Sequence, residues 1–210
     1  WMVLGLLVTF GVAVAGWVTN ATLWITHYMP YIPVVLAVAT LILSVTMAVR
    51  IERMAVGSAR AMFLAFSALF GFTVSQYLYL YDLGSVLAAF LAAALYFGVL
   101  AAYGYFTHTD LSRMGSFLFG SLIFLVVYGS ATWIFGVFSG IDWIVSLFAI
   151  AVFLGYTAYD TQKIRYYYNF YCGYPDMLEK AAIFSALQLY LDFVNLFVRL
   201  LQLLGNRKRN

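Results

Sequence analysis

Seven apolar runs, at 2–25, 31–50, 57–81, 85–106, 115–138, 141–160 and 181–204, leave this chain few folds to choose from. A helix rises about 1.5 Å per residue and needs about 20 residues to cross a hydrocarbon core, so each run is long enough to span a bilayer. The alternating polarity of membrane strands is absent, and a helix is the remaining spanning structure that satisfies its own backbone. Charged residues make up only 9% of the chain, against about 25% in a soluble domain. With 210 residues shared among seven spans there is no room for a separate soluble domain. The expectation is an all-α integral membrane protein: one transmembrane domain, 1–210, folded as a seven-helix bundle. Segment 1 precedes further spans and lacks a small-residue cleavage site, so it is expected to be a first helix and not a removable signal sequence.

Charge sets the expected orientation. The connections after segments 2, 4 and 6 carry Arg50, Arg53, Arg60, Arg113, Lys163, Arg165 and Lys180, whereas those after segments 1, 3 and 5 carry no Lys or Arg. By the positive-inside rule the first group is cytoplasmic, and so is the N-terminus. Segment 7 is the exception, because a full crossing puts Arg207, Lys208 and Arg209 on the opposite face. Either it enters and returns or it crosses against the rule; its length favours a crossing.

Other chemistries are thinly represented. Cys172 is the single cysteine, which excludes an internal disulfide and a thiolate metal cluster. His27 and His108 fall in predicted loops without a second ligand at helical spacing, so no transition-metal site is expected. No cofactor is expected, and no nucleic-acid partner.

The last segment, LQLYLDFVNLFVRLLQLLG, carries an acid at the centre of an oily run. On a helix, Ser185, Gln188, Asp192, Asn195, Arg199 and Gln202 follow one another at steps of three and four, and so share one face. Such a seam should avoid lipid, which makes segment 7 the helix expected to be enclosed by others. An ionisable group at mid-membrane depth costs about 2.5 to 3.5 kcal/mol on insertion scales, and Asp192 is therefore a candidate functional residue. The other intramembrane acid is Asp160, in LGYTAYDTQKI near the end of segment 6, with Lys163 one turn on. One reading makes Asp160 an interfacial, Lys-paired carboxylate; the other brings it against Asp192. Two carboxylates in a low-dielectric bundle cannot both ionise cheaply, so such a pair responds to protons.

GYTAYDTQKI at 155–164, the LQLYLDFVNLFVRLLQLLG run, AAYGYFTHTDLSRMGSF at 101–117 and ERMAVGSARAMF at 52–63 together resemble the transmembrane Bax inhibitor motif family, in its bacterial branch. The resemblance implies a central last helix wrapped by two groups of three. It implies a pH-sensitive calcium leak channel in which Asp160 and Asp192 form a hydrogen-bonded pair that senses protons and gates the path. Transient calcium contacts are implied at these two acids, with Gln188, Asn195 and Arg199 along the polar path. An Arg at the end of the second helix pairs with the dyad in the family. The ungapped match here falls on Ile51, flanked by Arg50 and Arg53, and Arg50 is the candidate. The expected partners are the lipid bilayer, calcium ions, protons and a membrane protease. Regulation of such a protease, or of a stress or cell-death pathway, is the alternative to transport. No enzymatic activity is expected: Asp192 lacks the glycine flank of an intramembrane aspartyl protease, and segment 7 has no interior Lys for a retinal Schiff base.

Overall fold

The computed structural model describes residues 1–135 and 141–208. Among them the chain is helical throughout: α1 (Met2–Val18), α2 (Ala21–Tyr28), α3 (Ile32–Arg50), α4 (Val56–Leu80), α5 (Leu83–Phe106), α6 (Met114–Phe135), α7 (Asp142–Tyr171) and α8 (Pro175–Leu204). Residues 136–138, the end of the fifth predicted segment, lie outside the described residues. Six helices are long and apolar enough to cross a membrane, and seven if the bent pair α1–α2 counts as one span. This is an all-α membrane protein.

The first predicted span is not one straight rod. It breaks after Val18, and α1 and α2 meet at 75°. Asn20 makes the corner with φ 55°, a left-handed conformation that Asn adopts more readily than branched or bulky residues. A broken helix in lipid must satisfy the carbonyls it frees. The Tyr79 hydroxyl of α4 donates to Gly16 O (3.1 Å) and Trp17 O (3.0 Å), and the Thr19 hydroxyl donates to Ala15 O (2.7 Å).

The last two helices are longer than their apolar runs suggest, at 30 residues each. α7 continues eleven residues past Asp160 through TQKIRYYYNFY, and α8 starts at Pro175, ahead of the predicted 181. Hydropathy lost the ends because these turns leave the oily run while remaining helical. The stop signal was the pair Gly173 and Pro175, which punctuates the α7–α8 connection.

The backbone divides into two compact units: Trp1–Val86 with Tyr167–Tyr190 and Asn206–Asn210, and Leu87–Tyr166 with Leu191–Gly205. In the first, α1 packs on α4, which also carries α3. Tyr190 of α8 is fully buried there against Phe63, Phe66 and Phe70 of α4, at ring-centroid distances of 6.2, 5.7 and 6.1 Å. Its hydroxyl meets that of Thr9 at 2.6 Å, and the Thr9 hydroxyl also donates to Ser67 O (2.9 Å). In the second unit, Phe193 of α8 packs on Phe90 and Phe97 of α5 at 5.5 and 5.7 Å.

Segment 7 crosses. Lys180, in the second turn of α8, donates from Nζ to Glu52 O (3.0 Å) in the α3–α4 connection. The chain after α8 returns to the other end of α4: Asp82 N donates to Asn206 O (3.2 Å), Lys208 N to Leu80 O (2.9 Å) and Lys208 Nζ to Leu78 O (2.9 Å). Arg207 lies over the Tyr81 ring at 5.9 Å. α8 therefore runs the same length as α4, and the tail ends at the α4–α5 connection. Of the three basic residues expected to violate the charge rule, Lys208 is held by a carbonyl and Arg207 by a ring, and Arg209 lies outside the described residues.

Asp82 ties this clasp to α5. Its carboxylate accepts from Ser85 N (2.9 Å) and from the Ser85 hydroxyl (2.6 Å), and Asn206 N donates to Ser85 Oγ (2.9 Å). The hydroxyl and amide of Ser85 hold the Asp82 carboxyl below the usual carboxylate range. A depressed folded-state pKa contributes stability that is present above the unfolded value and is lost as pH falls through the folded one. Acidification below about pH 4 should accordingly loosen the tail. Amide exchange at Asn206 and Lys208 should speed up on acidification relative to its intrinsic rate, and Asp82→Asn should show the faster exchange at neutral pH.

Candidate functional site

Asp160 and Asp192 both belong to the second unit, and each is only 5% exposed. The Lys163 pairing of the first reading is present, and of that reading only the solvated carboxylate is corrected, because neighbouring helices cover Asp160.

The local sequence explains how α7 presents its acid. Thr157 and Thr161 flank Asp160 but turn their hydroxyls back onto their own helix, donating to Phe153 O (2.9 Å) and Thr157 O (2.6 Å). Beyond them, Gln162 clamps the α5–α6 connection: its Oε1 accepts from Leu111 N (2.9 Å) and its Nε2 donates to Thr109 O (2.8 Å). Arg165 donates to Tyr105 O (2.6 Å). The polar residues after Asp160 are thereby used in fixing α7 against its neighbours, which holds the carboxylate in place.

The Asp160 Oδ1 lies 3.6 Å from Lys163 Nζ, and that ammonium also lies 5.2 Å from the centroid of the Tyr159 ring. Asp160 and Lys163 are the charges that act on the Asp192 carboxyl, and Tyr156 is within electrostatic reach of both acids. Asp192 Oδ2 is buried and has no hydrogen-bond partner in the structure. An unsatisfied buried acceptor costs about 1–3 kcal/mol, and more when it carries charge. Such an acceptor calls for a partner, and this singles out Asp192 among the described residues.

The remaining seam residues divide. Ser185 is buried, Gln188, Asn195 and Arg199 are half-buried, and Gln202 is exposed. The face predicted to be polar throughout is interior only around Ser185 and Asp192. The Asn195 amide donates to Leu191 O (2.8 Å) on its own helix, which leaves its carbonyl oxygen directed elsewhere. Arg199 donates to Gln202 Oε1 (3.3 Å) near the exit of α8. α8 is nevertheless the most buried of the spans: 56% of its apolar stretch is buried, against 6% for α3.

Arg50 forms no ion pair among the described residues; it lies in the last turn of α3, in the first unit, beside a cavity it shares with Arg53. The cation that the structure places on the acids is Lys163. The i,i+3 spacing had already offered Lys163 as the partner of Asp160, and the structure has that pair. Among the described residues no three His, Cys, Asp or Glu side chains come together, so the oxygen set available to a hard cation is the two carboxylates and neighbouring carbonyls.

The sequence profile described as "Inhibitor of apoptosis-promoting Bax1" matches residues 1–209. The chain belongs to this Bax inhibitor family. It is similar to the inner membrane protein YbhL of Escherichia coli K12, 34% identical over 210 residues, covering 99% of this chain and 89% of that one. An uncharacterised protein of Deinococcus radiodurans is 33% identical over 210 residues, covering 99% and 87%. Bax inhibitor 1 of Schizosaccharomyces pombe is 38% identical over 101 residues, covering 48% of this chain and 35% of that one. The family member described here is an integral membrane protein.

Proposed function

We propose that this Bax inhibitor family protein is a proton-sensitive cation leak, with calcium as the permeating ion and the N-terminus in the cytoplasm. The observation that carries the reading is the orphaned Oδ2 of Asp192, buried beside a second carboxylate and one ammonium. Two acids and one Lys cannot all be charged and satisfied together in a low dielectric, so a proton gained or lost must rearrange the contacts between α7 and α8. Calcium takes oxygen ligands, and two carboxylates with the Asn195 carbonyl bind weakly enough for the ion to leave. In this reading Asp160 and Asp192 sense protons and touch the ion, and Lys163 is the internal cation that competes with it.

The test is calcium flux into liposomes holding the full chain, measured from pH 5 to 8. Asp160→Asn with Asp192→Asn should flatten the pH profile, while each variant keeps the parent's thermal midpoint because the amide preserves shape and removes charge. Lys163→Gln should shift the profile without flattening it. An unchanged profile in the double variant would refute the mechanism.

A second reading is a membrane-embedded regulator of a protease or a stress or cell-death pathway, without intrinsic transport; the family description and the name of the fission-yeast relative support its cell-death part. Co-purification with a membrane protease at native expression, together with no flux in pure liposomes, would favour it.

A further inference from the structure

Six described Lys and Arg side chains belong to the first unit, and four have protein partners. Arg60 pairs with Glu179, Lys180 donates to Glu52 O, Lys208 donates to Leu78 O, and Arg207 lies over Tyr81. Among the described residues Arg50 and Arg53 have neither an ion pair nor a side-chain hydrogen bond. They are also the two that stand together. The chain continues one helical turn past α3, with Arg53 N and Met54 N both donating to Arg50 O (2.9 and 3.0 Å), and this puts the two guanidiniums three residues apart on one side.

Both line a cavity of about 830 Å³ between the ends of α3 and α4, whose apolar wall is Val49 and Met62. Thr46 adds a hydroxyl-bearing side chain to the lining. Glu52 is its one acid, and the Tyr171 hydroxyl donates to Glu52 Oε1 at 3.5 Å. The net charge of the lining is positive.

The surface leading to the cavity is equally specific. α3 is the least buried span, and Val38, Ile42, Val45 and Val49 are 50%, 59%, 52% and 76% exposed. Their spacing of four, three and four makes them one stripe along the helix, and it ends at the cavity wall. In a bilayer this stripe is covered by acyl chains, and the two arginines sit at the level where those chains reach their headgroups.

We propose that the α3–α4 connection is a binding site for an anionic phospholipid, with the phosphate held by Arg50 and Arg53 and an acyl chain lying on the Val38 to Val49 stripe. Guanidinium forks match phosphate oxygens bidentately, and unpaired ones lose no protein contact on binding. A free phosphate ion would share the headgroup chemistry but would leave the stripe unused. The site is independent of the carboxylate pair.

Native mass spectrometry of the full chain in mild detergent, with phosphatidylglycerol and phosphatidylcholine offered at equal concentration, tests this. The parent should retain phosphatidylglycerol at least about tenfold better, as two basic residues at a lipid surface allow. Arg50→Gln with Arg53→Gln should bring retention to the phosphatidylcholine level, while Arg60→Gln keeps the preference. Excess inorganic phosphate should not displace the lipid. Because both side chains are exposed and unpaired, the double variant should keep the parent's thermal midpoint. Should it fail to fold, Arg53→Gln alone is expected to lose a clear part of the preference. Preference retained in the folded variant, or displacement of the lipid by inorganic phosphate, would overturn the proposal.

Discussion

Gly104→Ala is expected to cost about 3 kcal/mol of stability or more, although it adds a single methyl group. A Cβ at Gly104 of α5 meets the backbone carbonyl of Ala158 on α7, with the Ala158 carbonyl carbon and Cα both at 2.9 Å. Backbone cannot rotate aside as a side chain can, so the two helices must separate. Overpacking in a close-packed interior costs about 1–3 kcal/mol and sometimes more, and this contact belongs at the upper end. That is a large part of a typical total of about 5–15 kcal/mol. The separation would also move α7 two residues before Asp160, so under the proposed leak mechanism the variant should lose the pH response of its flux. Gly98→Ala is the matched control, since nothing lies within 4 Å of its Cβ. It should change stability by no more than about 1 kcal/mol, in the favourable direction expected from helix propensity. Thermal unfolding in detergent, read by loss of the monodisperse peak, checks both.

Tyr190→Ala should cost about 2–4 kcal/mol. In a bilayer the unfolded helix sits in lipid, so the transfer part of a core deletion is small and the loss is mainly of packing contacts. That packing is extensive here, since three Phe rings of α4 surround a side chain with no exposed surface. Tyr190→Phe separates the ring from its hydroxyl. It should cost only about 1 kcal/mol, because Thr9 keeps its bond to Ser67 O. Equal losses for both variants in a thermal shift assay would place the stabilisation in the hydroxyl pair and not in the ring.

Tyr190 also shows how unevenly a sequence speaks about its own interior. Nothing separates it by composition from Tyr77 or Tyr166. Its burial follows from its place on α8 and from the Phe63, Phe66 and Phe70 face of α4, a pairing of residues more than a hundred positions apart. Asp192 is the opposite case. An acid in LQLYLDFVNLF was conspicuous from hydropathy alone, because its cost is set by the residues beside it in the chain. The expectation that all six seam residues lie inside was only partly met, since helical spacing fixes which residues share a face and not how far a neighbour covers it. Gln202 is on that face and exposed.

The sequence by itself determined the class of fold, the spans to within a few residues for α3 to α5, the family, and the two carboxylates. Each is a local property: run length against bilayer thickness, spacing on one helix, or a contiguous motif. Only the tertiary structure decided the break at Asn20, the run of α8 along α4, the burial of Asp160, and the partners of Arg60, Lys180, Arg207 and Lys208. Those depend on which groups from distant segments meet. The positive-inside count treats Arg207 and Lys208 as free charges, but the tail clasp gives one a ring and the other a carbonyl. For the same reason the cation paired with Asp160 is Lys163, whereas Arg50 and Arg53 form no ion pair among the described residues.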